Sequence, residues 1–278
     1  MDIATPFLRR PWQGRIRTAV LAAFLANPAA ALAPAAETGA CSLENAAPAT
    51  VAVVEHNGEL LLDDGRRAAL SGVEFPPAGG AAHKRLSQWL AGQDVFIRAF
   101  SGASDRWGRT PAAFFAAQGS DAAAPIISVG AALLEEGLAR FRPDPPAAPC
   151  AAEYRAAEAT ARDARRGIWA DAAMLPVSAG EGARSLLQRK GMVVLEGQIS
   201  SFGESRGLVF LNFGQKRAEA VSIVVLRRNL AMLQGSGIDP AGLVGRKVRV
   251  RGLIETGFGP RIEVSTPAEI EILDSPAP

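Results

Sequence analysis

The sequence is poor in the residues on which many enzyme classes depend. It has only two histidines and two cysteines in 278 residues, and no P-loop or C-x-x-C motif. The two histidines leave almost no candidates for a histidine-based zinc site or a Ser/His/Asp relay. An excess of one charge is lacking too: beyond residues 1–35 the chain carries 26 basic and 27 acidic residues. Binding to a phosphate backbone usually leaves a stronger basic excess.

The chain also lacks an apolar run of the roughly 20 residues that a transmembrane helix needs. Residues 1–35 have a cationic start, a short apolar stretch interrupted at Asn27-Pro28, and Ala33 and Ala35 at the spacing of an A-x-A cleavage signal. This segment predicts an export signal peptide, a secreted or periplasmic location and no membrane span in the mature chain. A transmembrane anchor and a lipoprotein signal ending at Cys41 are the alternatives.

The two cysteines, Cys41 and Cys150, form an even pair in a chain predicted to be exported. In that setting a disulfide is favoured over a metal site or a nucleophile. It would tie the N-terminus of the mature chain to the start of a late helix.

Residues 42–172 have the pattern of a small α+β barrel domain. "TVAVVEHNGELLLDDGRRAALSGVEF" alternates apolar runs with turn signals at Asn57-Gly58 and Asp64-Gly65, which predicts three antiparallel strands. Helical spacing predicts helices in "AAHKRLSQWLAG", in "SVGAALLEEGLAR" and in a third segment that ends at Gly167. A hairpin is predicted around "SDRWGRT". This order, in which strands come first and helices are interleaved later, indicates an α+β domain.

After a predicted linker at residues 173–189, the pattern becomes almost purely strand. Residues 190–274 contain about five predicted strands, with one short helix near Leu230 to Leu233 before the fourth. This order is typical of a small OB-like β-barrel. The predicted fold class is therefore α+β, mainly β: a barrel with three helices followed by a second small β-barrel.

Five sequence pieces between Val51 and Ala170 occur in a characteristic order. They are "NGELLL", "ALSGVEFPP", "DRWGRTPA", "SVGAALLEEGLARF" and "AAEATARDARRGIWA". This series resembles the thermonuclease (staphylococcal nuclease-like) family. The resemblance implies a staphylococcal-nuclease-like OB barrel that cleaves phosphodiesters with a calcium ion held by two acids. It further implies a glutamate that assists the attacking water and two arginines that bind the phosphate, since developing charge needs fixed cations nearby. Residues 208–273 also look like the second barrel of some exported bacterial relatives.

The family positions are only partly kept in this sequence. The two calcium acids fall on Glu59 and Glu74, each longer than the usual aspartate. The first arginine falls on Ala69 and the water-activating glutamate on Pro77, and neither residue can perform the family's chemistry. Arg109 alone keeps its phosphate-facing position. These replacements predict a degraded active site and a non-catalytic binding or scaffold module, with single-stranded nucleic acid or another protein as partner.

Three alternatives stay open at this point. A weak calcium-dependent nuclease for DNA or RNA would need Arg66 or Arg67 to supply the missing arginine, and sliding the strand by one residue to bring Arg67 nearer would reverse every side chain's face. A calcium-stabilised module that binds no nucleic acid is the second. In the third, Arg109 is a structural arginine paired with Asp105.

Other basic and aromatic residues carry weaker predictions. Lys247, Arg249 and Arg251 alternate with valines, which predicts a basic stripe along one strand face. That stripe could track a single nucleic-acid strand, with bases stacked on Phe202, Phe213 or Phe258. Trp107 is expected to pack under its hairpin, and core positions are expected for Trp89 and Trp169. A solvated helix face is expected for Arg155, Arg162 and Arg166.

Overall fold

The computed structural model describes residues 41–76, 80–119, 121, 123–181, 183–189, 191–214, 221–256 and 259–274, without the side chains of residues 183 and 184. The predicted signal peptide at residues 1–35, Pro77 and Phe258 lie outside these ranges. Within them, no helix combines the length and the apolar character that crossing a membrane requires.

A closed five-stranded barrel occupies the first half of the described chain. The strands of this half are β1 (Ala47–Val54), β2 (Glu59–Leu62), β3 (Arg67–Leu70), β4 (Val73–Glu74), β5 (Asp94–Ala99), β6 (Arg109–Ala117), β7 (Ile126–Ser128) and β8 (Arg140–Phe141). Antiparallel pairs join β3 to β2, β2 to β1, β1 to β5 and β5 to β6. A parallel pair between β3 and β6 closes the barrel.

The turns and helices of this barrel follow the local sequence signals. Gly58 and Gly65 have φ values of 80° and 83°, so each predicted turn places glycine in the left-handed region. The three predicted helices are α1 (Gly80–Leu90), α2 (Val129–Glu135) and α3 (Ala151–Asp163). The helix α3 ends before the predicted Gly167, because the chain turns there to pack Gly167 against the Gly137 carbonyl. The α+β fold class is confirmed.

The first hydrophobic core lies inside the barrel and beneath the three helices. Strand β6 is buried continuously from Ala112 to Ala116, because one face meets the barrel interior and the other meets α2. Trp169 is buried as predicted, and the half-buried Trp89 donates its indole N–H to the Ala117 carbonyl at 2.7 Å. The predicted disulfide is present between Cys41 and the fully buried Cys150, and it hints at an oxidising environment.

The second half is rich in β-strands arranged around a core of its own. Its strands are β9 (Val177–Ser178), β10 (Met192–Gln198), β11 (Ser201–Ser205), β12 (Leu208–Asn212), β13 (Ser222–Leu226), β14 (Lys247–Leu253), β15 (Glu255–Thr256), β16 (Pro260–Val264) and β17 (Ile270–Ile272). Its helices are α4 (Ala183–Leu187) and α5 (Leu230–Gly235), the latter being the short helix predicted before β14. An OB-like barrel for this half stays a prediction.

Two sheets make up this second half. One has the strand order β17-β14-β10-β9, and the other has the order β11-β12-β13-β16-β15. The pairing of β13 with β16 is parallel, whereas β10 pairs with β14 in antiparallel register. Strand β9 and helix α4 fall inside the segment predicted as a linker. Short 3-10 turns complete the described chain at Pro145–Cys150, Gly167–Ala170, Ala172–Met174, Arg227–Asn229, Ala241–Leu243 and Pro267–Glu269.

Both halves belong to one compact unit that spans residues 38–278. Their contact includes a buried ion cluster in which Arg251 of β14 reaches Glu158 of α3. The two cores are therefore joined by side chains as well as by the chain itself.

Candidate functional site

A cleft of about 760 Å³ opens on the first barrel, where the ends of several strands meet. Glu59 at the start of β2, Ala69 in β3, Glu74 in β4 and Arg109 at the start of β6 all line it. The parallel closure pairs Arg67 with Arg109 and Ala69 with Pro111, so barrel closure brings the two edge strands together. The structure thus assembles in one cleft the described residues that the resemblance singled out.

Glu59 is the centre of the charged groups in this cleft. It is only 4% exposed, and Arg109 Nη1 donates to its Oε1 at 2.5 Å. Arg67 Nη2 donates to the other oxygen, Oε2, at 2.5 Å. Asn57 Nδ2 adds a third hydrogen bond to Oε1, also at 2.5 Å. The buried carboxylate is therefore bridged by two guanidinium groups, as a buried anion requires.

Arg109 is held on its other side by Asp105. Its Nε lies 2.8 Å and its Nη2 2.7 Å from Asp105 Oδ2. Asp105 Oδ1 also accepts from the backbone N–H groups of Trp107 and Arg109, which fixes the turn. The Arg109 side chain is the main cause that lowers the pKa of Asp105 to about 2. In turn, Asp105 and then Glu59 raise the pKa of Arg109. The structural pairing of Arg109 with Asp105 is thus present.

Arg67 reaches the Glu59 carboxylate without any change of register, which corrects the expectation from sequence. Arg67 lies two residues before Ala69 on β3, and side chains two apart on a strand share a face. No slide of the strand is needed. Arg66 instead points to the solvent-exposed turn, where its Nε lies 2.6 Å from Asp64 Oδ2.

Glu74, the second acid of the resemblance, has a separate partner. Strands β4 and β8 pair Glu74 with Arg140, and Arg140 Nη2 lies 2.7 Å from Glu74 Oε2. Among the residues that the structure describes, no three or more His, Cys, Asp or Glu side chains are grouped so that they could hold a metal. Glu59 and Glu74, the two acids that the resemblance singles out, are thus each paired with arginine.

The aromatic residues at the cleft differ from the sequence expectation. Trp107 does not pack under its hairpin: it is 56% exposed, because the turn fixed by Asp105 projects it outward. The guanidinium of Arg106 lies 4.0 Å from its ring centre and that of Arg109 lies 4.7 Å away. His56 and His83 also line the cleft, with ring centres 4.4 Å apart. Sequence reasoning missed this pair and Asn57, although "HNGE" places Asn57 within reach of Glu59.

The predicted basic stripe of Lys247, Arg249 and Arg251 is not an exposed surface. Val248 and Val250 enter the second core as expected, and Lys247 is exposed. Arg249, however, lies 2.7 Å from Glu196 and 3.0 Å from Glu271. Arg251 is 1% exposed in its side chain and cannot face a ligand. The prediction fails because this end of β14 packs against α3.

The packing of β14 against α3 also corrects the prediction of a solvated face on α3. Arg162 on α3 is buried and lies 3.2 Å from Glu158, so its face of the helix is not solvated, although Arg166 is exposed and Arg155 half-buried. Phe202 and Phe213, the two described residues of the predicted stacking set, are half-buried and pack against the second core.

Comparison with protein families bears directly on the first half of the chain. Residues 67–171 match the family model described as staphylococcal nuclease homologue. A comparison with curated proteins returns no match. The matched range runs from β3 to just beyond α3, and it includes the barrel closure and the three helices. The part of the chain from residue 67 to residue 171 is therefore similar to the staphylococcal nuclease homologues, which supports a thermonuclease-like family.

Proposed function

We propose that this protein is a non-catalytic binding module, whose nuclease-like cleft holds a ligand and does not cleave phosphodiesters. The observation that carries this proposal is the double engagement of Arg109, which is bonded to Glu59 and to Asp105 at once. The residue that should grip a phosphate is instead part of the protein's own ion network.

Phosphate binding by Arg109 would work against this network. Of the five guanidinium N–H groups of an arginine, three in Arg109 already donate to carboxylates, through Nε, Nη1 and Nη2. An incoming phosphate would lie beside the negative charges of Glu59 and Asp105, and like charges placed together cost several kcal/mol. Ala69 offers no second guanidinium, and the loss of one such group typically lowers turnover by about two to three orders of magnitude.

The calcium ion that the family implies does not fit the donor set of this cleft. Calcium takes six to eight oxygen ligands, with carboxylates preferred. Both oxygens of Glu59 already accept hydrogen bonds from arginine, and Glu74 is paired with Arg140. A calcium ion could use these acids only after three arginines had moved away. Pro77, where the water-activating glutamate is expected, has no group that accepts a proton.

Trp107 supports single-stranded nucleic acid as the ligand of this module. An exposed indole beside the cleft, with Arg106 over its ring, is a surface on which a base can stack. Stacking is tolerant of sequence and does not need a free phosphate site. Because the chain has no strong basic excess, we expect weak binding. The signal-like residues 1–35 and the Cys41–Cys150 disulfide support export to the periplasm or beyond.

The decisive experiment is digestion of single-stranded DNA and RNA by residues 36–278, with calcium or with a chelator, beside the Arg109→Ala variant. For each nucleic acid, we expect the same background in all four combinations of protein and metal condition. Calcium-dependent cleavage that disappears in Arg109→Ala would show that the cleft is catalytic and would refute the proposal.

Ligand binding is tested separately by fluorescence anisotropy with a labelled single-stranded oligonucleotide. Loss of one base-stacking side chain is worth about 1–3 kcal/mol, so Trp107→Ala should weaken binding roughly 5-fold to 150-fold. Leu253→Ala, which removes another exposed apolar side chain, should leave affinity unchanged. Equal affinity of both variants and the unaltered protein would exclude stacking on Trp107.

One observation favours a weak calcium-dependent nuclease as the second candidate. Arg67 places a guanidinium beside Glu59 and next to Arg109, so two arginines flank the Glu59 carboxylate. If the site has been rebuilt in this way, cleavage of DNA or RNA should be lost in Arg67→Ala and kept in Arg66→Ala, whose side chain bonds Asp64 instead.

A further inference from the structure

The second half of the chain carries a pocket of its own, distinct from the cleft. It has a volume of about 400 Å³ and lies on the sheet formed by β11, β12, β13, β16 and β15. Its apolar lining consists of Leu208, Phe210, Val224 and Pro260. Pockets of this size with a mainly apolar lining and a few polar groups are typical of small-molecule sites.

The apolar floor faces away from the second core. Val209 and Leu211 on β12, like Ile223 and Val225 on β13, point into that core. Phe210 and Val224 alternate with them and are direct cross-strand partners, so both lie on the outward face. Val224 is nevertheless only 2% exposed. The outward face of a sheet is normally polar, and an apolar patch on it often marks a ligand or interaction site.

An arginine in an unusual backbone conformation stands at the rim of this pocket. Arg206 and Gly207 form the tip of the hairpin between β11 and β12, with φ values of 49° and 80°. A two-residue turn with both φ values positive strongly favours Asn-Gly or Asp-Gly, and arginine is an uncommon choice. Strained positions of this kind cluster at ligand-binding sites. The Arg206 side chain makes no hydrogen bond or ion pair with any other residue in the described ranges.

The other charged groups near the pocket set the orientation of a ligand. Arg261 also lines it, but its guanidinium lies 3.2 Å from Glu255 and is already paired. Glu263, the neighbour of Val224 on β16, is exposed on the same sheet face and would repel an anion from that side. At the far end, Ser222 Oγ donates to Asn212 Oδ1 at 2.7 Å, so this pair is neutral and internally satisfied. Among the described residues that line the pocket, the unpaired positive charge is therefore at the Arg206 end.

We propose that this pocket binds a small amphipathic anion. An apolar or aromatic body would lie on Leu208, Phe210 and Val224, and a carboxylate, sulfonate or phosphate group would accept hydrogen bonds from Arg206. This site does not depend on the cleft of the first barrel or on the function proposed for it.

The test uses two fluorescent probes that differ only in the anionic group. One is 8-anilinonaphthalene-1-sulfonate, and the other is its neutral counterpart N-phenyl-1-naphthylamine. Both are titrated into folded residues 36–278, into Arg206→Gln and into Arg228→Gln. Arg228 is the matched control, since it is an exposed arginine of the same half that does not line the pocket.

We expect one saturable sulfonate site per chain. Because a hydrogen bond to a charged group is among the stronger ones, Arg206→Gln should weaken sulfonate binding by roughly tenfold or more. The same variant should leave binding of the neutral probe unchanged, and Arg228→Gln should leave both unchanged. The proposal is overturned if the folded protein shows no saturable sulfonate binding, or if the two arginine variants bind the sulfonate equally well.

Discussion

Replacing Arg251 with methionine should destabilise both halves of the chain, because this arginine is buried between them. Its Nη2 lies 2.5 Å from Glu158 of α3 and 3.0 Å from Glu271 of β17. Burial opposes the positive charge, but attraction to Glu158 and Glu271 outweighs it and raises the pKa of Arg251. Burial raises the pKa of Glu271, but attraction to Arg251 and then to Arg249 outweighs it and lowers this pKa.

The magnitude follows from what each substitution leaves behind. Removing one partner of a buried ion pair typically costs about 3–5 kcal/mol. Without Arg251, Glu158 still accepts from Phe141 N–H at 2.9 Å and pairs with Arg162 at 3.2 Å. Glu271 still has Arg249 at 3.0 Å. Arg251→Met should therefore cost about 3 kcal/mol of unfolding free energy, at the lower end of the range.

Glu158→Gln should be the more damaging change. It keeps an oxygen for the Phe141 N–H but removes the charge that Arg251 and Arg162 share. Glu271 is then the remaining acid beside Arg251 within the described cluster. We expect Glu158→Gln to lower the free energy of unfolding by about 5 kcal/mol, at the upper end of the range for a broken buried ion pair.

Urea unfolding of residues 36–278, followed by circular dichroism, measures these free energies. Arg228→Met removes an exposed arginine as a control and should change stability by less than about 0.5 kcal/mol. In thermal unfolding, 3 kcal/mol corresponds to roughly 6–12 °C for a chain of this size. The reasoning is refuted if Arg251→Met behaves like Arg228→Met. It is also refuted if the second half alone loses stability while the barrel unfolds unchanged.

Three further predictions concern the cleft, the disulfide and the packing of one glycine. An NMR titration should place the pKa of Asp105 at about 2, and it should return toward the ordinary 3.8 in Arg109→Ala. Because the pKa is lowered in the folded state, the stabilisation is complete above the ordinary aspartate range and is lost as the pH falls through about 2. Replacing both Cys41 and Cys150 with serine opens a connection of 109 residues and should cost about 2–5 kcal/mol in urea unfolding, with no effect of reductant on that variant. Gly167→Ala places a Cβ 2.1 Å from the Gly137 carbonyl oxygen at a φ of 53°, and should cost more than about 1 kcal/mol. Gly80→Ala meets nothing within 4 Å and is its control, so equal melting temperatures would contradict the packing argument.

The elements of the first half could be predicted because their signals are local. The turns at Asn57-Gly58 and Asp64-Gly65 need glycine at positive φ, and the sequence supplies it at both places. Apolar spacing likewise located α1 and α2, where the buried leucines Leu86, Leu90, Leu133 and Leu134 share faces. Such features depend on neighbours within a few residues, so no knowledge of tertiary contacts is needed.

Errors arose where burial depends on a distant segment. The alternation of Lys247, Arg249 and Arg251 correctly assigned a common strand face, but it did not show that α3 would cover one end of that face. The fate of Arg162 depends on the same contact. The prediction that Trp107 packs under its hairpin was wrong for a different reason: backbone N–H groups of its turn donate to Asp105 and hold the ring outward. The position of Arg67 was predictable, since two residues separate it from Ala69 on one strand.

The interactions that allow Glu59 to be buried also engage Arg109, which is bonded to Asp105 as well. A buried carboxylate needs paired cations, and Arg67 and Arg109 supply them. Where the family resemblance places an aspartate, the longer glutamate brings its oxygens to both guanidinium groups. With Ala69 in place of an arginine, the described cluster of Glu59, Asp105, Arg67 and Arg109 has two positive and two negative charges and no net charge left for a phosphate. A catalytic cleft would keep such positive charge uncompensated until its substrate arrives. This charge balance supports the proposed non-catalytic module, and it directs the search for a ligand to Trp107.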